Sequence, residues 1–576
     1  MSPNLKKFLL SFSPGRRIPR LVLGALVVGA IVGAIVAGFE QITQKMLLDG
    51  LRDFPIWIQA VAPAVGLAIS AVILRYVGGR GTPTSTTDEY IKAYHDRSPR
   101  IPLRHLPAKL MAGIATMGLG GALGLEGPSV YTGSSVGLNS PKLLTRRWFT
   151  REETKILMTA GAAAGISAIF KTPATGVMFA LEVPYLNDVG RRALLPALFA
   201  SAISFVVFAS IHDPNPVFPA LGAESHTLRV VDLLGGAIIG IAAGVGGRAF
   251  SWLTLKAKSF YAATKPLWRV AGCGALLFVL VFATNQAFDE PLSLGSGHEA
   301  IYWSLGVDHE AETSESGSIV TLERSLWLLA LLFAMRAAAT LASVVGGGAG
   351  GLFIPLAVQG VVLGAFVGEL IDSASSSLYP TLGLAAFLGA GYRTPITAVI
   401  FVAESSRGSP FIVPALVAAA VSQLVVGRSS ISKDQVGERL GYLEHRLTLP
   451  ISSALNTDVM TVPPDAAVSE FVFFHVISHR VRDVPVVDGN TYIGMCTLDQ
   501  AEKLDRDIWE STLVKDAMQP DYPTAEINDT LRDVVLAMEE AGVEIIPILD
   551  PQGKFVGTVS NEEIVLLDEI LDETDT

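Results

Sequence analysis

Apolar positions along the chain come in long blocks rather than in alternation. From Leu21 to Phe39 runs LVLGALVVGAIVGAIVAGF without a charge, enough for a helix to cross a hydrocarbon core of ~30 Å. A second uncharged block covers Leu194–Ile211. A third, Ala337–Gly368, is interrupted by VVGGGAGG, and glycine of that density predicts two helices with an irregular join. Beyond about residue 450 the pattern changes. Short strand-like and helix-like segments alternate there and no block of membrane length occurs. The expected organisation is a short cytoplasmic segment (1–20), an all-α polytopic membrane domain (21–449) and an α/β tail (450–576).

Composition agrees with a membrane protein: half of the 576 residues are apolar, 17% are charged, and 55 are glycine. Lys6, Lys7, Arg16, Arg17 and Arg20 precede the first block, which predicts a cytoplasmic N-terminus. No small-residue cleavage site follows that block, so it is expected to stay as the first helix. The net charge of −11 conceals an asymmetry. Ile451–Thr576 holds 26 acidic against 7 basic residues, which leaves the first 450 residues net positive. Cys273 and Cys496 lie in segments of different character and imply no disulfide framework and no metal cluster. No nucleic-acid partner is expected.

The tail repeats. DVMTVPPDAAVSEFVFFHVISHRVRDVPVVDGNTYIGMCTLDQA is followed by DAMQPDYPTAEINDTLRDVVLAMEEAGVEIIPILDPQGKFVGTVSNEEI. Each copy reads as a Met-containing lead, an amphipathic helix, a strand with a proline (Pro485, Pro547), a turn, and a Gly-led strand (Gly494, Gly557). This is similar to a tandem pair of cystathionine-β-synthase-type (CBS) domains, which the resemblance makes a regulatory module, sometimes with adenine nucleotide. The residues that would hold the nucleotide depart from the pattern. Thr497 has Asp499 two residues on instead of three, and Ser560 has Glu563 in place of Asp. A dimerising or stabilising module is therefore expected, with nucleotide binding as the alternative.

The membrane part is also duplicated. KTPATGVMFALE (Lys171–Glu182) matches RTPITAVIFVAE (Arg393–Glu404), and GLEGP at Gly124–Pro128 matches GLFIP at Gly351–Pro355. Two motifs in the same order at nearly the same separation mark a repeated unit, and Gly/Pro-interrupted segments at matching places point to the binding site of a repeat transporter. Helix starts led by glycine offer free N–H groups and partial positive charge, an anion site without a full basic charge. Glu126 then makes sense. A carboxylate costs ~2.5–3.5 kcal/mol to insert into a membrane, but at such a site it can occupy the anion position itself and withdraw when protonated or displaced.

Together these motifs and the tail resemble the CLC family of chloride channels and anion/proton exchangers over essentially the whole chain. The resemblance implies an inverted-topology repeat of tilted, broken helices, and a homodimer in the plasma (inner) membrane with one anion pathway per subunit. Glu126 would be the gating glutamate, Gly124, Leu125 and Gly127 its loop, and the amides of Leu352 and Phe353 beside Gly351 the central anion ligands. Three departures stand out. Arg80 and Gly81 occupy the first anion loop, GRGTP, where the family often has serine. Ser432 stands where many members place an anion-binding tyrosine, Tyr442 being an out-of-register substitute. Val183 stands where many exchangers carry the internal proton-transfer glutamate.

The valine favours passive, voltage- or pH-sensitive chloride conduction; the alternative is a proton-coupled antiporter with Glu182 as substitute carrier. Glu182 and Glu404 have a plainer reading as residues bonded to backbone amides, and Arg80 as an interface anchor. His298 reads as a loop residue and Asp308–Ser318 as a solvated acidic loop. A CBS-regulated divalent-cation transporter is a more remote alternative, disfavoured because the intramembrane carboxylates are few and separated. No nucleophile–base pair or metal-ligand spacing points to an enzyme.

Overall fold

The computed structural model describes residues 17–79, 82–84, 86–96, 98–143, 149–212, 215, 217–218, 221, 229–306, 325–371, 377–406, 411–437 and 449–574. Arg80, Gly81, Tyr442 and Asp308–Ser318 lie outside them. The chain divides into two compact units, Met1–Arg439 and Leu440–Thr576.

In chain order the principal helices of the first unit are α1 (Arg17–Glu40), α2 (Ile56–Tyr76), α3 (Thr87–His95), α4 (Leu106–Gly118), α5 (Glu126–Leu138), α6 (Arg151–Phe170), α7 (Pro173–Glu182) and α8 (Leu194–Ala209). They continue as α9 (Val230–Ala263), α10 (Pro266–Phe288), α11 (His298–Leu305), α12 (Leu326–Gly346), α13 (Phe353–Ile371), α14 (Leu378–Tyr392), α15 (Pro395–Ser405) and α16 (Ile412–Val426). Seven helices among the described residues are long and apolar enough to cross a membrane. The interrupted third block forms α12 and α13 with Gly347 at φ +92° in the join, a conformation open to glycine without steric cost.

The helices of the two repeats end and begin alike. α6 starts on a capping box from Thr150 and Glu153 and stops at Lys171, which is left-handed at φ 55°. α14 stops at Arg393, left-handed at φ 61°. Thr172 and Thr394 then precede Pro173 and Pro395 at the first position of α7 and α15, where a missing N–H costs nothing. Inside each repeat, paired helices touch backbone to backbone. A Cβ on Gly133 would strike the Gly161 carbonyl, and one on Gly360 the Gly383 carbonyl.

The repeats also cap each other. Glu182, at the end of α7, accepts from the N–H groups of Ile396 and Thr397 at 3.1 and 2.8 Å and from the Thr397 hydroxyl at 2.6 Å. Glu404, at the end of α15, accepts from the N–H groups of Ala174 and Thr175 and the Thr175 hydroxyl at 2.7–2.8 Å. Each carboxylate satisfies donors that a helix start leaves open and sits favourably at its positive end.

In the tail, strand β1 (Asp483–Asp488) pairs antiparallel with β2 (Thr491–Thr497). β3 (Ala525–Glu526) runs parallel to β4 (Ile545–Leu549), which pairs antiparallel with β5 (Phe555–Ser560). Helices α17 (Leu498–Ala501), α18 (Leu531–Ala541) and α19 (Asn561–Thr574), with a helix over Val468–Ser478 ahead of β1, complete the principal elements. Gly494 and Gly557 lie inside their strands rather than leading them. There each allows a neighbouring backbone, at Gln519 and Asn456, to approach.

Replacing Glu182 or Glu404 by alanine strands three donors in each case. Either variant is expected to lose about 1–3 kcal/mol of stability, measured as a lower melting temperature in detergent. Cys496 in β2 is fully buried and its thiol is pushed up to about 12 by burial. A maleimide at neutral pH is therefore expected to leave it unmodified until the tail unfolds, which mass spectrometry along a denaturant series would follow.

Candidate anion-binding site

The two glycine-led motifs meet. Gly124 N–H donates to the Gly351 carbonyl at 3.0 Å and Gly351 N–H to the Gly124 carbonyl at 2.8 Å, an antiparallel bridge between matched positions of the repeats. Immediately after it, Glu126 opens α5 and Phe353 opens α13. Two helix starts therefore converge on one point, and their N–H groups and dipoles favour negative charge there.

Glu126 fills that point. Its side chain is completely buried, and Oε1 accepts the Phe353 N–H at 2.5 Å. Oε2 is buried without a hydrogen-bond partner among the described residues. The glycines are required by this packing, since a Cβ on Gly124 or Gly351 would collide with the carboxylate. A buried carboxylate so sparsely satisfied depends on backbone amides and the surrounding helix dipoles. An anion could take the same place with the same donors.

Next to it lies a cavity of about 210 Å³ lined by Thr87, Asp88, Lys258, Gly351, Leu352 and Tyr392, among others. The Tyr392 hydroxyl lies beside the Leu352 amide and the Thr87 side chain. Thr87 Oγ1 and Thr86 Oγ1 are buried without a geometric hydrogen-bond partner among the described residues, and the Thr86 hydroxyl faces Gly127. Sequence reasoning missed Thr86, Thr87 and Tyr392. The only available signal was the position of Tyr392 directly before the left-handed Arg393 of the repeat motif.

The structure brings Gly124, Leu125, Glu126, Gly127, Gly351, Leu352 and Phe353 together. Ser432 is buried and its hydroxyl accepts the Asp434 N–H; Ile431, not Ser432, lines the cavity. Val183 is fully buried. Glu182 has both oxygens on the start of α15. In the tail, Thr497 and Ser560 form capping contacts, with Gln500 and Glu563 respectively, and Glu563 also accepts from Asn456 at 2.9 Å. Asp499 is exposed and pairs with Arg482.

Comparison with known proteins gives this geometry its context. A family model described as voltage gated chloride channel matches residues 65–427. The chain belongs to that family. CBS domain models match residues 451–501 and 514–568. The H(+)/Cl(-) exchange transporter ClcA of Citrobacter koseri is 26% identical over 430 residues, covering 69% of this chain and 83% of that protein. ClcA of Salmonella arizonae is 26% identical over 450 residues, covering 70% and 86%. A slow cyanobacterial Cl−/H+ antiporter shares the fold at TM-score 0.59 and 24% identity, over 71% of this chain and 94% of that one. A eukaryotic CLC transporter aligns over 95% of this chain and 98% of its own at TM-score 0.56 and 17% identity. As a member of the chloride channel family the protein is a multi-pass membrane protein that transports anions.

If Glu126 competes with the transported anion for the Phe353 amide, Glu126→Gln and Glu126→Ala raise anion flux or abolish its pH dependence without loss of fold. Flux from liposomes across a pH series checks this; an unchanged flux and pH response in a folded variant would contradict it.

Proposed function

We propose that this protein exchanges chloride for protons across the membrane, with Glu126 alternating between the anion position and a protonated, withdrawn state. The observation that carries the reading is the fully buried Glu126 carboxylate on the Phe353 amide. Anion and carboxylate cannot hold one amide together, and protonation cancels the charge that keeps the carboxylate among the helix starts. Anion entry and proton uptake thereby become linked. Support also comes from the relatives, which are named as H(+)/Cl(-) exchange transporters, and from a fold shared with a CLC-type fluoride/proton antiporter at TM-score 0.59, 22% identity, over 73% of this chain and 98% of that one. These favour the antiporter over the channel expected from Val183.

Val183 keeps passive conduction as the second reading, because a valine carries no proton. On either reading each subunit of a homodimer holds its own pathway, and the N-terminus and tail face the cytoplasm of a plasma (inner) membrane. The tail acts as a dimerising or stabilising module; the capping contacts of Thr497, Ser560 and Glu563 support this above binding of adenine nucleotide.

The test is a proteoliposome experiment with an outward chloride gradient, clamped potential and simultaneous pH recording. Exchange predicts proton uptake against its gradient, driven by chloride efflux. Chloride efflux without uphill proton movement would establish the channel instead.

A further inference from the structure

Resting on the exchange reading, a question remains about how a proton reaches Glu126 when residue 183 is a valine and both oxygens of Glu182 are bonded to the start of α15. We propose that Asp88, paired with Lys258 in the cavity beside Glu126, is the proton carrier that serves this exchange.

The cavity joins the two groups. Asp88 and Lys258 line it together with Thr87, Tyr392, Leu352 and Gly351. Gly351 lies against the Glu126 carboxylate, and Leu352 precedes the residue whose N–H holds it. A volume of about 210 Å³ has room for several waters, since one needs ≳ 10–15 Å³ of such space and two to four polar partners. Those partners are present. The Tyr392 hydroxyl stands beside the Leu352 amide, and the nine-tenths buried Thr87 Oγ1 at the cavity wall and Glu126 Oε2 at the gate are without a geometric hydrogen-bond partner among the described residues.

The other end of the path is open to solvent in part: the side chains of Lys258 and Asp88 are 27% and 20% exposed. Lys258 Nζ holds Asp88 at 2.5 Å and the Ile431 carbonyl at 2.9 Å, so the ammonium keeps an anchor when the carboxylate leaves it. Other ionisable groups near Asp88 among the described residues are engaged or stand across the cavity. Glu89, its neighbour on α3, is occupied by Lys109 of α4 at 2.5 Å. Tyr261 of α9 and Tyr392 of α14 line the same cavity, and Tyr392 is close enough to feel both Asp88 and Glu126.

An anion arriving in the cavity from the Glu126 side competes with Asp88 for Lys258, and a carboxylate that loses its cation binds a proton more readily. Asp88 takes that proton from a hydronium ion at the exposed end, forming an O–H bond and leaving water. The bond breaks as the proton passes along the waters to Glu126 Oε2, and Asp88 returns to Lys258 as a carboxylate. One proton moves and no electrons change hands. Anion arrival and proton supply thus share one lysine.

The experiment compares the full-length protein with Asp88→Asn, Asp88→Ser and Asp88→Glu in liposomes, recording chloride and proton flux together. In Asp88→Asn and Asp88→Ser the proton-to-chloride ratio is expected to fall at least about tenfold, whatever the change in chloride flux, with the fold certified by an unchanged melting temperature in detergent; Asp88→Glu retains the ratio. Should one of the two neutral variants fail to fold, the other carries the comparison. An unchanged ratio in a neutral variant overturns the proposal and leaves exchange standing, as does loss of coupling in Glu182→Gln with Asp88→Asn still coupled. A wild-type protein that moves no protons uphill overturns the exchange reading, and the proposal with it.

Discussion

The structure of the membrane unit hangs on two backbone hydrogen bonds between glycines 227 residues apart in sequence, Gly124 and Gly351. They hold two chain crossings in contact, so that α5 and α13 begin at one place with their unpaired N–H groups facing inward. No side chain could stand at either glycine, because the Glu126 carboxylate already fills that space. The geometry of the site follows from this: positive potential from backbone amides at the junction, a buried carboxylate resting on one of them, and a cavity with Lys258 on its wall against the junction. A site made of amide dipoles binds an anion without the deep well of a full cation, which permits release as well as capture.

Much of this could be read from the sequence because duplication writes the same constraint twice. The paired Thr-Pro…Glu motifs and the two glycine-led helix starts located both repeats, and a carboxylate among glycines and apolar residues singled out Glu126. Tyr392, Thr86 and Thr87 were not legible. None stands at a motif position, and their approach to Leu352 and Gly127 arises from packing between segments distant in the chain. The roles of Glu182 and Glu404 were open for a related reason. Helical spacing places each at a helix end, but only the fold reveals that the end of one repeat meets the start of the other. Val183 was read as standing where many exchangers carry a carboxylate. Its implication of passive conduction was not supported by the relatives, since a proton need not travel through the same position in every chain.

In the tail, sequence patterning placed the strands carrying Pro485 and Pro547 and the turns at Gly489 and Gly553, where φ is positive. The glycines inside the strands needed the fold for their explanation, since the backbone that approaches each comes from outside its own hairpin. Ser560 and Glu563 show how one local pattern serves two purposes. A hydroxyl followed three residues later by a carboxylate resembles a ribose-binding pair, and it is also a helix cap. Here the cap is what the side chains form.

The crossed carboxylate caps have a consequence for the making of the protein. Glu182 finds its amide partners 214 and 215 residues further along the chain, which at a synthesis rate of ~5–20 residues per second leaves about 10–40 s between its emergence and theirs. During that interval the first repeat carries a charged end with no helix to receive it, in a setting where lipid would penalise it. The first repeat therefore cannot settle as a finished half and wait. Its Glu182 end is completed only when the second repeat arrives and each half caps the other.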